Sequence, residues 1–554
     1  MFGMLFSLSF CFWVVNEIDI IIVLKSCLCY ILTMLSDIEI AQKAKMRLVT
    51  DIAKIAGIKN SELEVHGCFK AKINLDIFKR LQKNKDGHLI LVTTMSPTPQ
   101  GEGKTTTTIG LAQALRKIRK NAFVCIREPS LGPVMGMKGG AAGGGYSQVL
   151  PMDDINLHLT GDIHMVTSAH NLLSAMLHNH IHQGNDLQLD DKRLVWKRVM
   201  DMNDRSLRGL FDITASSEVM AILCLSENIE DMKERLGEII VAYNMKGEPV
   251  RSKDLKANGA MALLLWHALK PNLVQTLEAG PAFIHGGPFA NIAHGCSSLV
   301  ATRMALKLGD YVVTEAGFGS DLGAEKFFDI KCRCGGLKPS ATVLVVTTQA
   351  IERHGLENAQ KHLDNLRLFG VPVVVAINKK STDTSDLISK IKNYFSGQNV
   401  NCVVSDVWAR GGDGGKDLAK VVVKLCEKKS GFKVLYDLKL SIKEKLAVIA
   451  GQIYGADGVD YTPEAESELK QLEKNSLDEL PICIAKTQYS FSDNSKLYGV
   501  PKGFKIIIRS LKPSSGAGFI VAYAGAIMTM PGLPKHPAAE NMDVTEEGVI
   551  TGLF

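Results

Sequence analysis

From residue 88 onward, short apolar runs alternate with stretches of helical periodicity. Segments 88–94, 122–126, 219–225, 311–314, 341–347 and 371–377 are rich in β-branched residues and predict strands. Residues 104–119, between the first two, predict a helix. These runs are continuous stretches of apolar and β-branched residues rather than alternating ones, which is the pattern of strands buried on both faces of a parallel sheet covered by helices. Near residue 430 Lys and Glu thicken into a pattern of surface helices, and 499–554 returns to strands and glycine-rich turns. The fold class expected is therefore α/β. The divisions expected are an apolar leader 1–33, a large domain 34–350, a second α/β domain 351–474 and a small C-terminal domain 475–554.

The leader breaks this pattern. Residues 1–15 and 20–32 are almost wholly apolar, split by Asn16-Glu-Ile-Asp19. Neither run reaches the ~18 residues of a membrane span. A basic start and a small-residue cleavage site, the marks of a secretory signal, are missing. Helix-start signals follow Met34 at once, with Ser36 and Asp37 as N-caps and Glu39 in the first turn. We read 1–33 as a start-site artefact and Met34 as the working start, the alternative being a membrane-proximal tail. No stable membrane association is expected.

Composition narrows the class of partner. A chain of 554 residues exceeds one core, and 46% hydrophobic with 22% charged residues excludes a disordered chain. The net charge of +6, from 64 basic and 58 acidic side chains, suits small anionic ligands and gives no basis for nucleic-acid binding. Twelve cysteines without a paired framework read as reduced thiols of a cytoplasmic protein. His178, His180 and His182 alternate by two in a helical context, so they cannot share a helix face as metal ligands.

The strand at 88–94 leads into Met95-Ser-Pro-Thr-Pro-Gln-Gly-Glu-Gly-Lys-Thr-Thr-Thr-Thr108 and then the helix. Strand, glycine loop and helix in that order are what a phosphate-binding loop requires. Gly101 and Gly103 allow backbone N–H groups to turn inward, and the helix N-terminus adds its dipole. Thr98, Pro99, Gln100, Gly101, Glu102, Gly103, Lys104 and Thr105 are the expected ATP contacts. Lys104 would neutralise the β and γ oxygens, and the Thr105 hydroxyl would hold Mg²⁺. Thr98 stands where the usual motif has its first glycine, so the pattern is only partly met. The large domain is thus expected to be P-loop NTPase-like, with two smaller α/β domains.

After the second strand come Arg127-Glu-Pro-Ser-Leu-Gly-Pro133 and the glycine field Gly136-Met-Lys-Gly-Gly-Ala-Ala-Gly-Gly-Gly-Tyr146. The field runs on to Pro151-Met-Asp-Asp-Ile-Asn-Leu-His158 and Thr160-Gly-Asp162. Further strings are Lys270-Pro-Asn-Leu-Val-Gln-Thr-Leu-Glu278, His285-Gly-Gly-Pro-Phe-Ala-Asn-Ile-Ala-His-Gly295, Thr314-Glu-Ala-Gly-Phe-Gly319 and Met528-Thr-Met-Pro-Gly-Leu-Pro534. Together they closely resemble the formate–tetrahydrofolate ligases over nearly all of 34–554.

The resemblance implies ATP-dependent ligation of formate to N10 of tetrahydrofolate through formyl phosphate. It implies catalytic Lys104 and Arg127, the latter resembling the family arginine that holds formyl phosphate. Trp408, with Gly411 and Gly412, resembles a string that stacks folate or nucleotide. Asp162 and His164 are candidates to orient ligands or metal. Also implied are Mg²⁺, activation by a monovalent cation, a possibly polyglutamylated folate and a homotetramer. Three departures stand out: Lys380 replaces a phenylalanine that stacks on folate, Gln349 and Glu352 replace cationic residues, and Ala526 replaces an acid. The readings set against a working ligase are a homologue that binds without turnover and a phosphate-loop switch ATPase.

Overall fold

A computed structural model describes residues 35–137, 142–525 and 527–553. The leader, Ala526 and residues 138–141 of the glycine field lie outside the described residues. The chain is α/β, built on one large, mostly parallel sheet of twelve strands. Its parallel strands are β1 His88–Thr94, β2 Ala122–Ile126, β3 Pro281–Ile284, β4 Tyr311–Gly319, β5 Pro339–Val346, β6 Val373–Asn378 and β7 Cys402–Ser405. They stand in the order β3-β2-β4-β1-β5-β6-β7, every neighbouring pair parallel. Beyond β3 the edge turns antiparallel through Asn272–Thr276 and the hairpin Leu63–His66/Lys70–Ile73.

The continuous apolar runs follow from burial on two sides. Along β1, Leu89 and Leu91 enter one core while Ile90 and Val92 enter the other. Val343 and Val345 of β5 likewise oppose Leu344 and Val346. With both faces covered, no position is left for a polar residue to mark a solvent side. The helix following β1, α1 Lys104–Lys117, packs Ile109, Leu111, Ala114 and Leu115 into the second core.

Two expectations change. Segment 219–225, expected as a strand, is the helix Glu218–Leu225. It is buried all round, so apolar content cannot distinguish the two forms. The deciding signal is the cap: the Ser217 hydroxyl accepts the N–H of Val219 at 3.0 Å. The strand expected at 311–314 runs on to Gly319. The helix after Met34 forms as Asp37–Lys43, with Ser36 and Glu39 closing a capping box.

The large sheet continues through residue 350, because β6 and β7 add to β5. A separate four-stranded sheet gathers Gly458–Tyr461, Ile482–Ala485, Lys505–Ser514 and Phe519–Ala524. Among the described residues no helix is long and apolar enough to cross a membrane.

Glu218 ties this small sheet to the body, accepting N–H groups of Gly516 at 2.7 Å and Ala517 at 3.2 Å. Burial pushes its carboxyl up to about 7 from 4.5, against the opposing pull of those two donors. A raised folded-state value gives a contribution that is complete below 4.5 and is lost as pH rises through about 7. Wild-type Tm should therefore fall relative to that of Glu218→Gln between pH 5 and pH 8. Parallel melting curves check this; a gap constant with pH would refute it.

Candidate active site

The chain leaves β1 at the carboxyl edge of the sheet and turns through residues 95–103 before entering α1. Connections run from β1 to one side and onward from β4 to the other, so the strand order reverses direction at β1. What shapes the loop is an acid inside it. Glu102, 2% exposed, accepts the N–H of Thr98 at 2.6 Å and the hydroxyl of Thr347. Its own carbonyl accepts Asn378 Nδ2 at 3.1 Å. Thr347 follows β5 and Asn378 ends β6, so two neighbouring strands pin the loop at one residue.

Gly103 caps α1 in the left-handed region at φ +68°, and a Cβ there would stand 2.3 Å from Asn378 Nδ2. Only glycine meets both demands. The Gly101 N–H closes a turn on the Thr98 carbonyl at 3.0 Å, while Pro99 and Gln100 are exposed. The Thr98 hydroxyl is buried without a partner.

Thr105, in the first turn of α1, donates its hydroxyl to Glu315 Oε2 at 2.8 Å. Glu315 Oε1 lies 3.9 Å from Arg127 Nη2. One carboxylate thus joins the head of α1 to the end of β2. Arg127 Nη1 donates to the Pro288 carbonyl at 3.1 Å, and its Nε is buried with no partner. Arg127 has no ion pair with its neighbour Glu128. Burial and nearby Asp162 hold the Glu128 carboxyl well above the usual carboxylate range, so its charge is suppressed. His294, buried close to Arg127, has no partner on either ring nitrogen. Burial and the surrounding Lys331, Arg127 and Lys326 depress its pKa, leaving a neutral imidazole.

Glu315 lies beyond the strand expected at 311–314, and its place beside Thr105 comes from the pairing of β4 with β1, which no single segment spells out. Its signal was the acid in Thr314-Glu-Ala-Gly-Phe-Gly319, whose glycines mark a strand that bends.

Trp408 lies against the other glycines. A Cβ on Gly145, at φ +55°, would stand 2.2 Å from the Trp408 carbonyl and 2.8 Å from indole carbons. The Tyr146 N–H donates to that carbonyl at 2.7 Å, and Asp37 accepts the Gly145 N–H at 2.7 Å. Gly411 and Gly412 pack farther along α1: the Gly412 N–H donates to Glu278 at 2.9 Å, and both glycines sit beside Gln113. At ~1.5 Å per residue, Gln113 is roughly 14 Å along the helix from Lys104. The structure thus groups Thr98, Gly103, Thr105 and Arg127 at one end of α1, with Trp408, Gly411 and Gly412 along its flank.

Asp162 is held inside the protein by Lys72 at 2.7 Å and Asn272 at 2.8 Å, and His164 bonds His158 at 2.8 Å. Two of the departures touch: Lys380 Nζ donates to Gln349 Oε1 at 2.5 Å. Glu352 is exposed, and Arg353 stacks over Tyr498 at 4.7 Å.

The sequence model of the family formate–tetrahydrofolate ligase matches residues 35–554. The chain belongs to that family of ATP-dependent ligases.

Removing the internal acid tests the pinning of the loop. Glu102→Ala should speed amide exchange across residues 98–103 by about tenfold or more, the rest of the large sheet keeping its protection. Exchange mass spectrometry reads this directly; unchanged protection would show that the loop is held by other contacts.

Proposed function

We propose that the chain joins formate to N10 of tetrahydrofolate in two steps, giving 10-formyltetrahydrofolate, ADP and phosphate. The observation that carries this reading is the single carboxylate, Glu315, shared by Thr105 and Arg127. It sets the loop suited to a nucleotide beside a guanidinium suited to an acyl phosphate.

Formate is a poor electrophile because its charge is delocalised over two oxygens. Transfer of the γ-phosphoryl group of ATP to a formate oxygen makes a good leaving group. The N10 amine then attacks the formyl carbon, the C–O bond to phosphate breaks, and the amine loses its proton. Phosphoryl transfer asks chiefly for alignment and charge stabilisation. In this reading the loop 98–105 is of the phosphate-loop type and holds the polyphosphate, with Lys104 at the transferred group. Arg127, whose planar fork matches carboxylate and phosphate alike, holds formate and then formyl phosphate. Its unpartnered Nε and the unpartnered Thr98 hydroxyl support a ligand at this end of α1. The Thr105 hydroxyl and Glu315 form an oxygen donor set fitted to Mg²⁺, which supplies charge neutralisation on the polyphosphate when bound. Trp408, half-buried on glycine backbone, is a stacking wall for folate or nucleotide. Residues 351–474 would contribute that wall. The monovalent cation, the homotetramer and the cytoplasmic setting rest on the resemblance.

ADP release by residues 34–554, with formate and tetrahydrofolate each added or omitted, tests the reading. Release that needs both and matches formyltetrahydrofolate is expected. Release indifferent to both would sink it, and binding without turnover would mark a degenerate homologue.

Lys380 stands where relatives stack an aromatic ring on folate, so Lys380→Phe should lower the KM for tetrahydrofolate by about threefold to tenfold, the worth of an aromatic contact. The KM for ATP should not move. An unchanged or higher folate KM would show that Lys380 and Gln349 do not border the folate.

A further inference from the structure

We propose that Glu315 is a metal-side residue of the nucleotide site, and that the charge it receives there loosens its hold on Arg127. The inference rests on the nucleotide reading given above and adds to it the acid that completes the site.

Placement comes first. Glu315 lies on β4, directly beside β1, and pairs in register with Val92, two residues before β1 ends. It therefore stands at the carboxyl edge of the sheet, next to the strand that feeds the loop. Regular pairing then breaks between Glu315 and Gly319, and Phe318 adopts a left-handed φ of +62°. A bulge of this kind re-aims a strand at a functional edge. A bulky aromatic residue at positive φ is strain that the surroundings must hold in place.

Charge comes next. Glu315 is 3% exposed, yet its ion pair with Arg127 is long, at 3.9 Å, beyond hydrogen-bonding reach. A buried acid so loosely paired leaves its desolvation only partly offset. Arg127 is in the same condition, with a buried Nε that has no partner. The two groups are under-compensated together, and a ligand bringing a divalent cation and an anionic phosphate supplies both missing charges.

The third element is Thr105. Its hydroxyl hydrogen goes to Glu315 Oε2, which fixes the rotor and turns the oxygen lone pairs away from Glu315. A hydroxyl at a helix N-terminus, oriented by a buried acid on the adjacent strand, is the arrangement by which phosphate-loop enzymes hold Mg²⁺. Thr105 and Glu315 differ by 210 in sequence, so parallel pairing of β4 with β1 creates the pair, and no local motif encodes it.

The consequence is a coupling between nucleotide and formate. Before the metal nucleotide binds, Glu315 draws on both Thr105 and Arg127. Once a divalent cation shares that carboxylate, the attraction toward Arg127 weakens. The guanidinium is then free to turn to formate and to the acyl phosphate. Nucleotide arrival thereby prepares the arginine for the second ligand.

Titration calorimetry of ADP, with and without Mg²⁺, tests this in the absence of turnover. Glu315→Gln keeps an acceptor for Thr105 and removes the charge. It should cut the Mg²⁺ enhancement of ADP affinity by about tenfold or more. Metal-free ADP binding should be unchanged or tighter, since repulsion between Glu315 and the phosphates is gone. Electron paramagnetic resonance with Mn²⁺ should show the ADP-dependent bound Mn²⁺ lost in the same variant. Glu315→Asp, which keeps the charge but shortens its reach, should lose the Mg²⁺ effect as well and serves if the glutamine variant does not fold. An Mg²⁺ enhancement equal to wild type in a folded variant overturns the proposal. Lys104→Ala separates the two readings: if it leaves ADP binding untouched, the nucleotide site itself is misplaced, and Glu315 falls with it.

Discussion

The architecture of the site hangs on a carboxylate that a ligand would not see. Glu102 turns back on its own loop, accepting the Thr98 N–H and the Thr347 hydroxyl, while its carbonyl accepts Asn378 Nδ2. A glycine-bearing loop at a helix N-terminus would otherwise sample many conformations, and ordering it on ligand binding would cost affinity. Here the ordering is done by buried hydrogen bonds from β5 and β6, made when the sheet forms. The same contacts explain Gly103, which must be left-handed for the chain to enter α1 and must lack a Cβ to clear Asn378.

The parallel sheet supplies the rest. Strands running the same way bring all their carboxyl ends to one edge, so residues far apart in sequence converge without local signals. Thr105 after β1, Arg127 after β2, Glu315 of β4 level with Val92 of β1, Thr347 after β5 and Asn378 at the end of β6 all lie there. Two cores hold this edge in register, one for each face of every strand. The buried polar atoms without partners include Thr98 Oγ1, Arg127 Nε, Glu128 Oε2 and both nitrogens of His294. Interiors rarely tolerate such atoms unless a ligand or water completes them.

Much of this was legible in the residues, and the reasons differ from case to case. β1, α1 and β2 were readable because strand and helix periodicity flank a glycine loop of distinctive spelling. The helix start at Ser36 was readable because capping is a local rule, although Asp37, the other expected cap, is the first helical residue. The helix Glu218–Leu225 was misread because a segment buried on every side has no polar face to reveal its period. Glu315 was missed for the opposite reason: its meaning depends on which strand lies beside β1, and strand order is not written in any one segment. The packing of Trp408 on Gly145 was likewise invisible, since the Gly145 backbone conformation appears only in three dimensions.

Strand order also changes how the departures from the family pattern are understood. Read along the chain, Gln349 and Lys380 are two independent losses, one of a cation and one of an aromatic ring. In the fold they are a hydrogen-bonded pair, because β5 and β6 end side by side. The Lys380 ammonium is accepted by the neutral amide of Gln349, in the first turn of the helix Thr348–His354. Asp383 reinforces this pairing by accepting both the Lys380 N–H at 2.8 Å and the Thr348 hydroxyl at 2.5 Å. Gln349 and Lys380 each stand two residues beyond Thr347 and Asn378, the groups that pin the loop, and the pinning contacts are intact. The loop contacts thus use Thr347, just past β5, and Asn378, the last residue of β6, while Gln349 and Lys380 pair with each other farther along.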